Sequence, residues 1–450
     1  MHDVLHDAAE RATRYLAGLD ERRVAPSPEA VAHLATLMGP FPAHPSDPGA
    51  VLALLDEVGS PATVASAGGR YFGFVTGGSL PAALAANWLA GAWDQDCGLV
   101  VMSPATAALE EVALDWLRDA LHLPKGCGCG FVTGATMANF TALAAARYTL
   151  LAHAGWDAEA DGLFGAPPIT VVVSEEVHVS LLKALAMLGL GRNRVVKVPV
   201  DGQGRMRVDA LPPLSGPTIV CIQAGNVNTG AFDPAADICA VAHAAGAWVH
   251  VDGAFGLWAA AAPERAHLVA GFADADSWAT DAHKWLNVPY DSGLAFVRDA
   301  EALRTAMGVS GVAYLPQGAL REPDQHTPEM SRRARGVDVW AALRSLGRSG
   351  LADLIEHNCR QATRFADGLR AAGYDVLNDV HLNQALVSFG DAQTTRRIVA
   401  AVQAEGACWC GSTVWQGQTA MRISVSSWAT TDEDVERSLA AIIRVATSNE

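Results

Sequence analysis

The chain has 450 residues, of which 50% are hydrophobic and 18% are charged, so it can bury a large core and is neither disordered nor collagen-like. Its 32 basic and 48 acidic residues give a net charge of −16, which argues against a protein that binds nucleic acid or an anionic membrane. The eight cysteines are too few for a disulfide framework and lack the spacing of zinc ligands, so we expect buried or near-surface thiols and predict no metal site.

The first 93 residues are predicted to form a helical segment that packs on a partner subunit. Residues 3–19 carry apolar side chains at helical spacing, and a proline-rich break follows at 40–48. The polar, acidic opening does not resemble a secretory signal, and the most apolar stretch, 240–263, is interrupted by two histidines and an aspartate. We therefore expect a cytoplasmic protein without a membrane span.

Residues 94–345 are predicted to form an α/β domain. Short apolar runs alternate there with alanine-rich helical patterns, which favours a largely parallel sheet covered by helices on both faces. The predicted strands are 130–133, 169–174, 194–200, 218–223, 248–252, 277–280 and 293–297, and helices are predicted between them at 135–154, 179–189 and 234–245. Residues 346–450 are predicted to form a smaller α+β domain with a helix at 351–372 and strands near 387 and 421–426.

The residues that follow the predicted strands are the first candidates for a site, because ligands of an open parallel sheet bind at the carboxyl ends of its strands. Asp252 closes the run 247–252, where a desolvated carboxylate needs a cation or strong hydrogen-bond donors. It could cap the next helical segment or pair with a buried ring-nitrogen cation, and the sequence leaves both alternatives open.

Lys284 follows the next strand, in Asp281-Ala282-His283-Lys284-Trp285, and is one of only four lysines in the chain. Beside apolar residues it would be poorly solvated. Desolvation would lower its pKa and leave a neutral amine that can form a Schiff base with an aldehyde. The alternative is a surface lysine whose stem packs on apolar neighbours.

Two further strand ends carry candidates. The segment 131–136 joins a strand to a helix through small residues, and the free amides at the helix start, with the Thr136 hydroxyl, would suit a phosphate group. His178 follows another strand and could stack on a flat heteroaromatic ring, although a lone histidine is more often a hydrogen-bonded core residue. An amine, a carboxylate, a ring stacker and a phosphate site thus fall at strand ends of one sheet.

From about residue 70 to the C-terminus, the chain resembles the group II amino-acid decarboxylases, which are pyridoxal 5'-phosphate (PLP) enzymes of the aspartate-aminotransferase-like fold type I. The most specific motifs are His250-Val251-Asp252-Gly253-Ala254 and His283-Lys284-Trp285, with support from Met102-Ser103-Pro104. The resemblance implies a mostly parallel seven-stranded sheet and a homodimer with its active site at the subunit interface.

By this resemblance, Lys284 holds the cofactor as an internal aldimine, Asp252 pairs with the pyridinium nitrogen and His178 stacks on the ring. The other expected cofactor residues are Ala135, Thr136, Asn226, Ala254 and His283. The expected substrate residues are Phe74, Thr76, Gly77 and Arg422. The positions where relatives contribute pocket walls from the neighbouring subunit are Asp96, Cys97 and Gly98.

The implied reaction is decarboxylation of an L-amino acid through a quinonoid intermediate, with aromatic substrates favoured slightly over acidic ones. Aromatic-amino-acid decarboxylases carry a loop tyrosine that protonates this intermediate, but the stretch 314–328 has a tyrosine only at its start, Tyr314. His326 is the first candidate for the proton donor and Tyr314 the second, and an ordinary loop histidine is the alternative. The rivals are oxidative decarboxylation-deamination to an aldehyde, another PLP reaction (aldolase, lyase or aminotransferase) and a PLP-binding scaffold without turnover.

Overall fold

The computed structural model describes residues 1–309 and 321–448. The helices are α1 (His2–Ala17), α2 (Pro28–His33), α3 (Pro48–Leu54), α4 (Ser60–Ala62), α5 (Pro81–Trp93), α6 (Pro104–Ala120), α7 (Ala135–His153), α8 (Ala158–Asp161), α9 (Val179–Met187), α10 (Ala235–Ala244), α11 (Ala300–Met307), α12 (Arg335–Ala371), α13 (Ala392–Glu405) and α14 (Asp432–Thr447). The strands are β1 (Gly128–Val132), β2 (Thr170–Ser174), β3 (Val196–Val198), β4 (Thr218–Gln223), β5 (Trp248–Asp252), β6 (Ser277–Asp281), β7 (Gly293–Val297), β8 (Asp375–Val376), β9 (Gln384–Ser388), β10 (Gly411–Trp415) and β11 (Gln418–Ser424). Single short turns of 3-10 or π-helix lie between them, among them Pro323–His326.

A seven-stranded sheet has the strand order β1-β7-β6-β5-β4-β2-β3. Strands β2 to β6 run parallel to one another, and β7 is antiparallel to both of its neighbours, β6 and β1. Every residue of β1, β4, β5, β6 and β7 is buried, as expected for apolar strands covered on both faces. The predicted fold, with a mostly parallel seven-stranded sheet between helices, is confirmed.

Helix α7 packs closely on this sheet because its inward face is built from alanine. Ala142, Ala144, Ala145 and Ala146 are almost fully buried, in one cluster with side chains of β2, β4 and α9. Such small side chains let a helix approach a neighbouring layer closely without leaving voids. Only two residues separate α7 from β1, so the helix begins at the carboxyl edge of the sheet.

The chain divides into two compact units. One contains Ser79–Arg360 and Asn378–Gln384 and holds the seven-stranded sheet. The other contains Met1–Gly78, Gln361–Leu377 and Ala385–Glu450 and holds a four-stranded sheet of order β10-β11-β9-β8. This division differs from the boundaries expected at residues 93 and 345, because the first 78 residues belong to the same unit as the C-terminal sheet. The expectation that residues 1–93 pack on a partner subunit stays a prediction.

Arg70 shows why the two ends of the chain share a unit. Its guanidinium is 3% exposed and donates hydrogen bonds to the carbonyl oxygens of Asp20 at 2.7 Å and Arg22 at 3.1 Å. It also lies 3.6 Å from the carboxylate of Asp434, on α14. A buried guanidinium needs such partners, so these contacts tie the segment between α1 and α2 to the C-terminal part.

The eight cysteines are all buried and none forms a disulfide, in agreement with the expectation of buried or near-surface thiols. None of the helices within 1–309 and 321–448 has both the length and the hydropathy that crossing a membrane requires.

Candidate active site

Two buried carboxylates lie at the carboxyl ends of neighbouring strands. Asp252 ends β5 and is 6% exposed, and Asp281 ends β6 and is 2% exposed. Asp252 is among the residues predicted from the sequence, whereas Asp281 is not. The signal for Asp281 was its position three residues before Lys284, a spacing at which charged side chains on one turn can pair.

Asp252 is held by neutral hydrogen-bond donors. Nδ2 of Asn139, on α7, donates to Oδ2 at 3.3 Å, and the backbone N–H of Ala254 donates to Oδ1 at 3.3 Å. Within the described ranges, no lysine, arginine or histidine forms an ion pair with this carboxylate, since Lys284 pairs with Asp281 instead. A buried carboxylate of this kind suits a cation supplied by a ligand, such as a protonated ring nitrogen.

A directional chain of buried hydrogen bonds fixes Asn139 behind Asp252. Nε1–H of Trp248 donates to Ser277 Oγ at 2.9 Å, and Ser277 is 2.9 Å from Nδ1 of His250. Nε2 of His250 is 2.8 Å from Oδ1 of Asn139, which can only accept, so Nε2 carries the proton and Nδ1 accepts from Ser277. Burial lowers the pKa of His250 to about 3, which keeps the ring neutral, as this chain requires.

Asn139 is not among the residues predicted from the sequence. Its only signal was an amide in the middle of an alanine-rich helix, where asparagine is unfavourable unless its side chain has a partner.

Lys284 lies against Asp281. Its Nζ is 2.9 Å from Oδ2, and its side chain is 18% exposed. Burial lowers the pKa of Lys284, but the carboxylates of Asp281 and, more weakly, Asp252 outweigh it, so the pKa is raised above its ordinary value. The expectation of a lowered pKa is therefore wrong, because it considered only the apolar neighbours. The resting side chain is an ammonium ion and must lose a proton before it attacks an aldehyde.

Asp281 also reaches the start of helix α7. Its Oδ1 accepts the backbone N–H of Ala135, the first helical residue, at 2.6 Å, and lies 3.5 Å from Nε2 of His283. A Cβ on Gly293 would lie 2.4 Å from the Cα of Gly134, so glycine at 293 allows β7 to approach the helix start this closely. The structure thus brings together Lys284, His283 and the predicted phosphate-binding end of α7.

His283 is fixed on three sides. Its Nδ1 accepts the backbone N–H of Ser292 at 3.0 Å, its Nε2 faces Asp281, and its ring stacks on Tyr290 with centroids 4.2 Å apart. Burial lowers the pKa of His283, although Asp281 opposes this effect. Tyr290 was not among the predicted residues, and nothing in the local pattern distinguished it.

The predicted residues His178 and Asn226 follow β2 and β4 at the same edge of the sheet. Nδ1 of His178 accepts the backbone N–H of Ser180 at 3.3 Å and so caps α9. Oδ1 of Asn226 accepts the backbone N–H of Asn228 at 2.9 Å, and its Nδ2 donates to Glu176 at 2.9 Å. These contacts fix both side chains, and their roles toward the cofactor stay predictions.

His326 lies along the edge strand β1. A Cβ on Gly130 would lie 2.1 Å from the carbonyl oxygen of His326, and Nδ1 of its ring donates to the carbonyl of Glu322 at 3.1 Å. The residue is 7% exposed, and burial together with Arg321 lowers the pKa of its ring to about 3. A ring that is neutral at pH 7 lacks the extra proton that a general acid gives up. These contacts favour a packing role, and the donor role stays a prediction. Tyr314, the second candidate, lies outside the described residues.

The predicted wall residues Asp96, Cys97 and Gly98 pack on a later segment of their own chain. Oδ1 of Asp96 accepts the backbone N–H of Arg332 at 3.2 Å, and a Cβ on Gly98 would lie 2.4 Å from the carbonyl oxygen of Met330. Burial raises the pKa of the Cys97 thiol. Their part in a pocket of a neighbouring subunit stays a prediction.

The predicted substrate residues Phe74, Thr76, Gly77 and Arg422 belong to the other compact unit. Phe74 has a φ of 55°, is 64% exposed and lies 5.5 Å from the ring of Trp409. Arg422 lies in β11 opposite Gly411, and burial lowers its pKa. A bulky residue in the left-handed region is strained, and such strain is common in ligand-binding segments.

The residues at the sheet edge fit PLP in three respects. Asp252 is a buried carboxylate that forms no ion pair with another described residue, so it suits a pyridinium cation. The N–H groups of Thr136 and Met137 at the start of α7 have no acceptor in the described part of the chain, which suits a phosphate group. Lys284 supplies the amine beside them.

This fold with this set of residues defines a PLP-dependent enzyme of fold type I. A family model for the pyridoxal-dependent decarboxylase conserved domain matches residues 65–390. The chain therefore belongs to the pyridoxal-dependent decarboxylase family and is a PLP-dependent carboxy-lyase, as its resemblance predicted.

Similar proteins include several kinds of decarboxylase. The chain is 27% identical to tryptophan decarboxylase 1 of Oryza sativa subsp. japonica, with 80% of this chain and 76% of the relative aligned. It is 30% identical to L-2,4-diaminobutyrate decarboxylase of Rhizobium meliloti (strain 1021), over 80% of this chain and 74% of the relative. It is 27% identical to phenylacetaldehyde synthase of Petunia hybrida, with 59% of this chain and 55% of that relative aligned. A crystal structure of Oryza sativa TDC with PLP and tryptamine matches with a TM-score of 0.92 at 22% identity, covering 99% of this chain and 97% of that one, which shows the shared fold.

Proposed function

We propose that this enzyme decarboxylates an aromatic L-amino acid and releases the corresponding amine. The observation that carries the reaction is Asp252, a buried carboxylate held only by neutral donors within the described residues and therefore suited to a ligand cation. The aromatic class is supported by the names of relatives that decarboxylate tryptophan, tyrosine or DOPA. The exposed Phe74 ring beside Trp409 is a surface that would suit an aromatic side chain.

Each residue of the site has a defined task in this proposal. When bound, PLP supplies an electron sink for the bond that is broken at the substrate Cα. Lys284 would bind the cofactor aldehyde, and Asp252 would keep the ring nitrogen protonated. Thr136, at the start of α7, would bind the phosphate, and His178 would stack on the ring.

A second candidate function is oxidative decarboxylation-deamination to an aldehyde. It is favoured by the burial of His326, which lowers the pKa of its ring to about 3. At neutral pH the ring therefore has no extra proton to give to the substrate Cα, and amine formation requires that proton. The similarity to a phenylacetaldehyde synthase points the same way.

A single experiment separates these functions. The enzyme with PLP is incubated with each common L-amino acid, with and without oxygen, and the products are identified by mass spectrometry. Amine from an aromatic substrate under both conditions supports the proposal. Aldehyde and ammonia formed only with oxygen support the second candidate. Amine from an acidic or basic amino acid alone contradicts the proposed substrate class, and a yellow protein without product indicates a scaffold.

We also propose that the enzyme is a homodimer whose N-terminal helices pack on the partner. Helices α1, α2 and α3 contain no buried residue. They and the segment that joins them expose large apolar side chains, including Leu5 at 61%, Phe41 at 97% and Val51 at 51%. Exposed apolar surface of this kind is typical of an interface. Analytical ultracentrifugation should give twice the chain mass, and a monomer at micromolar concentration would contradict the proposal.

A further inference from the structure

The carboxylate of Asp281 occupies part of the helix end that should receive the cofactor phosphate. Its Oδ1 accepts the N–H of Ala135 at 2.6 Å, while its Oδ2 contacts Nζ of Lys284 at 2.9 Å. The first N–H groups of a helix have no partner within the helix, and its positive end favours anions. Asp281 therefore already satisfies one of the donors that a phosphate group would use.

A phosphate bound at this end would be a second anion beside Asp281. The groups around the carboxylate are the Lys284 ammonium and, at 3.5 Å, Nε2 of His283. The His283 ring is neutral because its Nδ1 accepts the backbone N–H of Ser292 and so carries no proton. One ammonium cannot neutralise both a carboxylate and a phosphate dianion. The two anions must compete for the same end of α7.

We infer that Asp281 competes with the cofactor phosphate for the start of helix α7, and that PLP binding displaces it from Ala135. This inference rests on the proposed placement of the phosphate at Thr136. Asp281 is then a positioning residue with two tasks. Before the cofactor binds, it holds Lys284 beside the helix end. Once the cofactor is bound, it lowers the affinity of the site for the phosphate group.

The test compares PLP with pyridoxal, which has the same aldehyde and ring but no phosphate. Dissociation constants of both compounds are measured by equilibrium dialysis for the wild type and for Asp281→Asn. The asparagine can still accept the N–H of Ala135 but carries no charge. Loss of the Lys284 ion pair affects the binding of both compounds alike. The ratio of the two dissociation constants therefore reports only the contribution of the phosphate group to binding.

We expect the preference for PLP over pyridoxal to rise about tenfold to thirtyfold in Asp281→Asn, the size of charge effects at partly buried helix ends. The matched control is Asp252→Asn, which removes the other buried carboxylate of the site. Because Asp252 accepts no hydrogen bond from α7 backbone, its removal should change both constants together and leave the ratio unchanged. Circular dichroism verifies folding, and Asp281→Ser replaces the asparagine variant should it fail to fold.

An unchanged or lower ratio in the Asp281 variants overturns the inference, while PLP binding itself continues to support the proposed function. An equal rise in Asp252→Asn also overturns it, because general charge rather than competition would then explain the effect. If the wild type takes up no PLP, the proposed function fails, and this inference fails with it.

Discussion

Asn139 offers a sharp test of the hydrogen-bond chain behind Asp252. Replacing it by leucine keeps the branched shape but removes both polar atoms. Nε2–H of His250, fully buried, then loses its acceptor at 2.8 Å, and Asp252 loses a donor at 3.3 Å. The rest of the chain, through Ser277 and Trp248, stays in place.

The size of the effect follows from these two losses. An orphaned buried N–H costs about 1–3 kcal/mol, and a lost hydrogen bond to a charged group costs about 1.5–3 kcal/mol, with the long 3.3 Å distance favouring the lower end. Leucine is a better helix former than asparagine and recovers about 0.5 kcal/mol. We therefore expect the free energy of unfolding to fall by about 2–4 kcal/mol. PLP affinity should fall as well, because Asp252 is held less firmly.

Urea unfolding followed by circular dichroism measures the loss, and Thr141→Val is the matched control. Thr141 lies two residues further along α7 and is fully buried, and its hydroxyl has no hydrogen-bond partner in the described part of the chain. Valine has the same shape, so the control should be nearly neutral. An equal loss of stability in the two variants would refute the reasoning, because the hydrogen-bond chain would then contribute nothing measurable.

Three further results are expected. Lys284→Ala should abolish covalent cofactor attachment, and a pyridoxyl group mapped to another lysine after borohydride reduction would contradict the assignment. His326→Phe should leave turnover largely unchanged if the residue only packs on β1, whereas a large fall in kcat with an unchanged KM would support the donor role. The free energy of unfolding should decrease as the pH falls below about 6.5, because His250 and His326, with pKa values of about 3 in the folded state, take up protons there only when unfolded. Each histidine should contribute about 1.4 kcal/mol per pH unit to the slope of the free energy of unfolding against pH. If this slope is as steep in His326→Phe as in the wild type, His326 does not contribute to it.

The sheet was predictable because its strands are continuous apolar runs. All seven predicted strands occur, with ends shifted by a few residues: β1 is Gly128–Val132 rather than 130–133, and β3 is only Val196–Val198. The helix predicted at 351–372 corresponds to the part of α12 that follows Gly347, where a φ of 61° breaks the helix. The part of α12 before this break, from Arg335, was not predicted.

The unit boundaries could not be predicted in this way. They depend on contacts between residues far apart in sequence, such as Arg70 with Asp434. Local periodicity does not report such contacts, so the N-terminal helices gave no sign that they fold with the C-terminal sheet.

The candidate site was predicted in part, and its two buried carboxylates show why the rest was missed. Each is the last residue of an apolar strand, so the sequence alone does not show which of them binds a cation. The structure separates them by their partners: Asp252 receives neutral donors from Asn139 and Ala254, whereas Asp281 receives the Lys284 ammonium and the start of α7. A carboxylate that already has an ammonium gains little from a second cation, but one with only neutral donors gains much. Asp252 is therefore the carboxylate that can bind a cationic ring, and Asp281 the one that must yield to an incoming anion.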